Sequence, residues 1–157
     1  MISLKQILVA TDLGTSSQHA VRAACELAVQ FHAELHLLHV VTYPFTQFVE
    51  EWQKDYGRSI DDCEREYKEA AQKAVGNISV APLQDESTVV RIVRTGFAVP
   101  EILDVAENCG ADLLVIGTHG HSGLKHILMG SVADLVVRQS PCPVLTVRDP
   151  EHRFIPD

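Results

Sequence analysis

Nearly continuous apolar runs alternate along this chain with segments in which apolar residues recur at helical spacing. The five runs cover residues 7–11, 35–41, 89–94, 113–117 and 144–147. The first, second and fourth runs contain few polar side chains, which predicts parallel strands covered on both faces. The third run carries Arg91 and Arg94, so we expect this strand at an edge of the sheet.

Helical periodicity marks the segment between the first two strands. Apolar residues recur at helical spacing over residues 20–31, and Thr15-x-x-Gln18 predicts a capping box at the start of this helix. Residues 61–75 are highly charged and also helical in character, and a Gly-Asn pair follows them. We therefore expect a helix on each side of the second strand.

Two further helices follow the third and fourth strands. Pro100 suits the first turn of the earlier helix, and Gly110 suits the position just after its end. The later helix places Val132, Leu135 and Val136 on one face, which we expect to be buried. The regular alternation of strands and helices predicts a doubly wound α/β sheet.

Composition and charge narrow the classes of function. The chain has 157 residues, 46% of them apolar, which suits one domain with a sizeable core. Its 13 basic and 21 acidic side chains give a net charge of −8, which argues against nucleic acid and against anionic membrane surfaces. One small anionic ligand remains compatible, because backbone donors can build a phosphate pocket in an acidic protein.

The N-terminal residues and the cysteines bear on location. Residues 1–6 contain one basic residue and lead directly into a strand, so we expect no signal peptide and a cytoplasmic protein. The four cysteines are scattered without a CxxC pair, which predicts reduced thiols. Cys25 and Cys109 fall on apolar helix faces, where we expect them to act as small core residues.

A glycine-rich loop follows the fourth strand. Gly117-Thr118-His119-Gly120 is followed by nine residues and then by Gly130-Ser131, where the last helix begins. Glycines let backbone amides approach a phosphate, and a helix N-terminus offers unpaired donors and a positive dipole end. The pattern therefore indicates an anion site, to which Ser131 adds a hydroxyl; the alternative is an ordinary βα loop rich in turn residues.

This loop also carries a family resemblance. The spacing Gly-x2-Gly-x9-Gly-Ser, followed by a helix and Pro141-Cys142-Pro143-Val144-Leu145, resembles the ATP-binding branch of the universal stress protein family. Residues 7–12, 37–40 and 111–117 resemble its first, second and fourth strands. The resemblance covers roughly residues 3–148. It implies a three-layer, Rossmann-like fold of the adenine nucleotide alpha hydrolase type, with five parallel strands in the order 3-2-1-4-5. It also implies one domain, residues 1–148, and a tail, residues 149–157.

The resemblance implies where a nucleotide would bind. With this strand order, ligands lie outside the carboxyl ends of strands one and four, which end at Asp12 and Gly117. Asp12 would contact a ribose hydroxyl or hold a divalent metal through water, and its alternative role is an Asx turn or helix cap. The backbone of Val40 would meet the adenine. The predicted nucleotide-binding residues are Ala10, Thr11, Asp12, Val40, Gly117, Thr118, His119, Gly120, His121, Gly130, Ser131 and Val132.

Other chemistry finds less support in the sequence. His119, His121 and His126 crowd the glycine loop, but their spacing fits no closed zinc site, so we expect contact with phosphate or solvent. Lys125 would neutralise phosphate charge or lie on the surface. No Walker G-x-x-x-x-G-K-[ST] segment is present, and the segment around Ser122 is one residue short of a nucleophile elbow. We therefore expect catalysis to be absent or slow.

An aromatic cluster falls in the segment that precedes the charged helix. Phe45, Phe48 and Trp52 fall within one stretch of eight residues. Packing onto the domain is one interpretation of these side chains, and a lid over the ligand or a partner surface is the other.

Together these features favour a cytosolic regulator or sensor in a stress response. It would bind ATP, or AMP or ADP, with Mg²⁺, and form a homodimer through the last strand, Val144, Leu145, Thr146 and Val147. The alternatives are a slow ATP hydrolase or nucleotide-dependent transferase, and an interaction module without nucleotide. The intact glycine motif disfavours the last of these.

Overall fold

A computed structural model of the chain describes residues 3–42, 60–118 and 129–150. The predicted strands and helices are present, with bounds that differ by a few residues at most. The aromatic cluster, the middle of the glycine loop and residues 151–157 lie outside the described residues. The elements are β1 (Gln6–Thr11), α1 (Thr15–Phe31), β2 (Glu34–Val41), α2 (Ile60–Gly76), a 3₁₀ turn (Glu86–Thr88), β3 (Val89–Thr95), α3 (Ala98–Asn108), β4 (Leu113–Gly117), α4 (Ser131–Gln139) and β5 (Val144–Val147).

The five strands form one parallel sheet in the order β3-β2-β1-β4-β5. This is the predicted order, and it confirms the edge position of the strand that carries Arg91 and Arg94. In the central strand, Ile7 lies opposite Leu35 on one side and Leu113 on the other. Both neighbours of β1 are therefore buried strands, which explains their apolar composition.

Alternate strand residues supply two separate cores, one on each face of the sheet. Beneath α1 and α2, the core includes Ile7, Val9, Leu35, Leu37 and Val115. On the other face, beneath α3 and α4, it includes Leu8, Ala10, Leu38, Leu114 and Ile116. Because side chains point to alternate faces, a strand covered on both sides must be apolar at every position, as these runs are.

The predicted capping box at the start of α1 is wrong. The helix begins at Thr15, so this residue is helical, and the cap position belongs to Gly14, which is extended at φ −79° and ψ 165°. Gly14 has no side chain to accept from the first amides. The turn is instead closed by Asp12 Oδ1, which accepts from Gly14 N at 2.9 Å, and by Ser17 Oγ, which donates to Gly14 O at 2.9 Å.

The buried face of α4 also differs from the prediction. Ala133 and Val136 are buried, whereas Val132 is 36% and Leu135 is 42% exposed. The apolar segment at residues 132–137 offers two overlapping faces, and its periodicity does not choose between them. The small Ala133 side chain lets the helix approach the second core, which selects the face containing Ala133 and Val136.

The cysteines, all of them among the described residues, are free thiols. Cys25 is fully buried beneath α1, as predicted, and burial raises the pKa of its thiol to about 11. Cys109 differs from the prediction, because it is the residue that caps the end of α3 and is only partly buried. Gly110 follows it with φ +61°, a conformation that favours glycine and confirms the predicted helix end. None of the described helices is long and apolar enough to cross a bilayer.

A carboxylate joins β1 to β4 at the amino edge of the sheet. Asp112 Oδ2 accepts from Lys5 N at 2.7 Å and from Gln6 N at 3.0 Å, while Asp112 N donates to Gln6 O at 2.8 Å. The two hydrogen bonds, that from Lys5 first, hold the pKa of the Asp112 carboxyl below its usual value. The ionised carboxylate therefore stabilises the folded chain.

We expect Asp112→Asn to lower the free energy of unfolding by about 1 kcal/mol near pH 7, since the site is close to solvent. The folded pKa is depressed, so the contribution is complete above the unfolded value of about 3.9 and is lost as pH falls through the folded pKa. The free energies of unfolding of the two proteins, measured in urea, should therefore become equal at acid pH. Glu69→Gln, an exposed carboxylate in α2, is the control. A difference that persists at low pH would contradict the role of the charge.

Candidate functional site

A crevice opens at the carboxyl edge of the sheet, on the side covered by α3 and α4. It lies where the chain order reverses, because β1 pairs with β2 on one side and with β4 on the other. Its volume is about 350 Å³, within the range of small-molecule sites. The lining residues are Ala10, Thr11, Asp12, Ser17, Leu38, His39, Val40, Thr42, Ala98, Ile102, Ile116, Gly117, Thr118, Gly130, Ser131, Val132 and Ala133.

The wall of the crevice that faces the second core is apolar. Leu38 and Ile116 come from the strands on either side of β1, and Ala10 comes from β1 itself. Ile102 of α3 and Ala133 of α4 complete this wall. All five side chains are buried, so the wall suits the flat apolar face of a ring.

One end of the crevice is the first turn of α4. Asp134 N donates to Gly130 O at 3.0 Å, which is the first bond of the helix. Ser131, Val132 and Ala133, whose amides precede this bond at the positive end of the helix dipole, line the crevice. The carboxylate of Asp134 accepts from Arg138 Nε at 3.0 Å, which offsets its negative charge. The arrangement can bind an anion.

The two ends of the glycine loop meet at this point. Gly130 N donates to Thr118 O at 2.6 Å, and Thr118 N donates to Val147 O at 3.0 Å. Thr118 is buried, and Gly130 is extended at φ −64° and ψ 155°. The frame from which residues 119–128 depart is therefore fixed by β4, β5 and the start of α4.

The turn between β1 and α1 also lines the crevice. Asp12 follows β1 directly, and its Oδ1 accepts from Gly14 N. This is the Asx turn that the sequence offered as an alternative role for Asp12, yet Asp12 also lines the crevice. Leu13, the next residue, has a left-handed backbone with φ +66°. The turn therefore places Asp12 in the lining of the same crevice as the first turn of α4.

The end of β2 contributes Val40 and a histidine that the sequence interpretation missed. His39 Nδ1 lies 2.8 Å from Thr11 O; because a carbonyl can only accept, Nδ1 carries the proton of this bond. The bond joins the carboxyl ends of β1 and β2. The sequence did contain a signal for His39, since an ionisable residue near the end of a buried strand indicates a candidate site residue. Ser17 was missed as well, because it lies inside a helix.

The structure brings together nine of the twelve residues predicted to bind a nucleotide. Ala10, Thr11, Asp12, Val40, Gly117, Thr118, Gly130, Ser131 and Val132 all line the crevice. His119, Gly120 and His121 lie outside the described residues, as do Ser122, Lys125 and His126. Within the described ranges, no group of three or more histidine, cysteine, aspartate or glutamate side chains could hold a metal ion. Metal binding through Asp12 and water stays a prediction.

Known proteins of one family are similar to this chain over nearly its whole length. Residues 3–148 match the model of the universal stress protein family. The chain is 32% identical over 148 residues to universal stress protein MJ0531 of Methanocaldococcus jannaschii, covering 94% of this chain and 84% of that protein.

Two solved structures share the fold at closely matching length. That of MJ0577, from the same archaeon, has a TM-score of 0.71 at 27% identity and covers 96% of this chain and 99% of its own. A universal stress protein solved in complex with cAMP has a TM-score of 0.58 at 25% identity, with 93% and 98% of the two chains covered. The similarity therefore extends over the whole fold, including the elements that form the crevice.

Proposed function

The chain belongs to the universal stress protein family, and on that basis we propose that it binds an adenine nucleotide in the crevice between β1 and β4. The nucleotide is ATP with Mg²⁺, or AMP or ADP. The observation that carries this proposal is the presence, in the lining of one crevice, of the first turn of α4 and of Asp12. The relative solved with cAMP supports an adenine nucleotide as the ligand class.

The crevice chemistry suggests an orientation for the nucleotide. Phosphate oxygens accept from the amides of Ser131 and Val132 at the start of α4, as anions do at helix N-termini. A ribose hydroxyl donates to Asp12, and the base lies against Leu38 and the backbone of Val40. The three predicted loop residues outside the described ranges, His119, Gly120 and His121, stay predicted nucleotide-binding residues.

We propose a regulatory role in the cytoplasm, in a stress response, with slow or no turnover. Among the described lining residues, Asp12 is the only carboxylate, and its Oδ1 already accepts from Gly14 N. The His39 Nδ1 proton is held by Thr11 O. Because both side chains already take part in hydrogen bonds to the backbone, they do not favour a general acid and base pair. Turnover near the enzyme median of about 10 s⁻¹ with Mg²⁺ and ATP would instead indicate a hydrolase.

The proposed assembly is a homodimer through β5. This strand is the outer one next to β4 in the described sheet, and Leu145 on it is 38% exposed. An apolar outer strand pairs readily with another chain, and a twofold axis would place β5 antiparallel to its own copy.

The test is calorimetric titration of the purified protein with ATP and Mg²⁺, together with mass spectrometry of small molecules released on denaturation. We expect Asp12→Ala to weaken ATP binding roughly 5- to 150-fold, corresponding to about 1–3 kcal/mol for a lost charged partner. Asp12→Asn is the matched control, because its amide oxygen can still accept from Gly14 N. Weak binding in both variants identifies the charge as the ligand, whereas full recovery in Asp12→Asn with impaired Asp12→Ala would assign Asp12 to the turn alone.

A further inference from the structure

Two buried hydroxyl side chains lie directly behind the turn that carries Asp12. Thr11 Oγ1 and Ser17 Oγ are 2.8 Å apart, and the two residues are 7% and 4% exposed. One ends β1 and the other lies in the first turn of α1. Buried polar side chains are almost always hydrogen-bonded, so the partners of this pair indicate its role.

The direction of each hydrogen bond in this pair can be worked out. Ser17 Oγ lies 2.9 Å from Gly14 O, which can only accept, so the single Ser17 proton is used there. Ser17 Oγ must then accept from the hydroxyl of Thr11. Thr11 Oγ1 in turn accepts from Leu13 N at 3.0 Å. The resulting relay runs from the Leu13 amide through both hydroxyls to the Gly14 carbonyl, and it holds both sides of the turn.

The turn needs this support because Leu13 has a left-handed backbone. For a residue with a branched side chain, φ near +66° is unfavourable and persists where neighbouring contacts fix it. The position of Gly14 also sets the orientation of Asp12, since Gly14 N donates to Asp12 Oδ1. Loss of the relay would release Leu13 to ordinary φ values and move Asp12.

We propose that Ser17 is a positioning residue, which acts through Thr11 and the Leu13 turn to hold the Asp12 carboxylate toward the nucleotide. Because the role of Asp12 belongs to the proposed function, the role of Ser17 rests on that function. The proton of each hydroxyl is used within the relay, so neither hydroxyl has a proton to donate to a phosphate oxygen of the nucleotide. Thr11 contributes to the crevice through its backbone and through this relay.

The test separates positioning of Asp12 from general stability by using two probes. ATP requires the ribose contact of Asp12, whereas inorganic tripolyphosphate needs only the amides at the start of α4. We expect Ser17→Ala to weaken ATP binding about five- to tenfold and to leave tripolyphosphate binding unchanged. Ser16→Ala is the matched control: this hydroxyl donates to Asp149 Oδ2 at 2.9 Å, away from the relay.

Further variants at Thr11 and Leu13 test the relay even if Ser17→Ala does not fold. Thr11→Val removes the relay hydroxyl at nearly constant shape and should weaken ATP binding without changing tripolyphosphate binding. Thr11→Ser keeps the hydroxyl and should bind ATP as the unaltered protein does. In a Leu13→Gly background, the penalty of Ser17→Ala should shrink, because glycine adopts positive φ without strain.

The outcomes distinguish this role from the nucleotide site itself. If the unaltered protein binds no ATP, the proposed function and the positioning role both fail. If it binds ATP and Ser17→Ala binds it as well as Ser16→Ala does, the positioning role alone is overturned. An equal loss of ATP and tripolyphosphate binding would also overturn it, since it would reveal a purely structural hydroxyl.

Discussion

Gly130→Val should abolish ATP binding while leaving the fold intact. Gly130 has φ −64° and ψ 155°, a backbone that any residue can adopt, and its amide can still donate to Thr118 O. The branched side chain would stand at the start of α4 and keep phosphate oxygens from the amides of Ser131 and Val132. Two lost charge-assisted hydrogen bonds correspond to a loss of at least about 100-fold in affinity.

Calorimetry measures this loss, and thermal unfolding confirms the fold. Gly76→Val is the matched control, because Gly76 lies at the end of α2 and a Cβ there meets no atom within 4 Å. It makes the same change of residue far from the crevice, so its ATP affinity should match that of the unaltered protein. A folded Gly130→Val protein with undiminished affinity would place the phosphate site elsewhere.

Thr146→Pro should convert the proposed dimer into a monomer. The carbonyl of Pro143 accepts from Leu114 N of β4, and that of Val147 accepts from Thr118 N, just after β4. Because backbone groups of successive residues point to opposite edges, Thr146 directs its N–H away from β4. Proline there removes a donor from the pairing edge, and it is tolerated on an edge strand. The ladder between β4 and β5 should survive.

Light scattering measures the effect, with a dimer at twice the chain mass of 17.3 kDa. Thr146→Val is the control, since it keeps the N–H and should remain dimeric. A charge at Val147 would be a poorer test, because this side chain packs against the core beneath α1. A monomeric unaltered protein at micromolar concentration would contradict the dimer, and a dimeric Thr146→Pro would move the interface away from the β5 edge.

The sequence predicted the strands well because burial on two faces leaves a strong local signal. The run at residues 7–11 corresponds to Gln6–Thr11, and that at 113–117 corresponds to Leu113–Gly117. Strand order leaves no such local signal, since it depends on where each crossover helix packs. It came from the resemblance to a known family, and so did the expectation that Asp12 and Gly117 lie at one crevice.

The wrong predictions concern places where two local conformations suit the sequence and tertiary contacts select one of them. Thr15 and Gln18 satisfy a capping pattern, but Asp12 and Ser17 close the turn around Gly14 and move the cap back by one residue. The buried face of α4 was likewise selected by packing at Ala133. The relay through Thr11 and Ser17 was not predictable, because it depends on a left-handed leucine that the residue type does not suggest.

Because Cys25 is buried beneath α1, the reactivity of its thiol reports on the separation of α1 from the sheet. The thiolate is the form that reacts with disulfide reagents, and this thiol is both inaccessible and held protonated by a pKa of about 11. Its modification therefore requires that α1 separate from the sheet, whereas Cys63, Cys109 and Cys142 are partly exposed. When reclosing is faster than the reaction, the rate of the slowest thiol-exchange phase divided by the rate for an exposed thiol gives the equilibrium constant for opening this layer, with no added label.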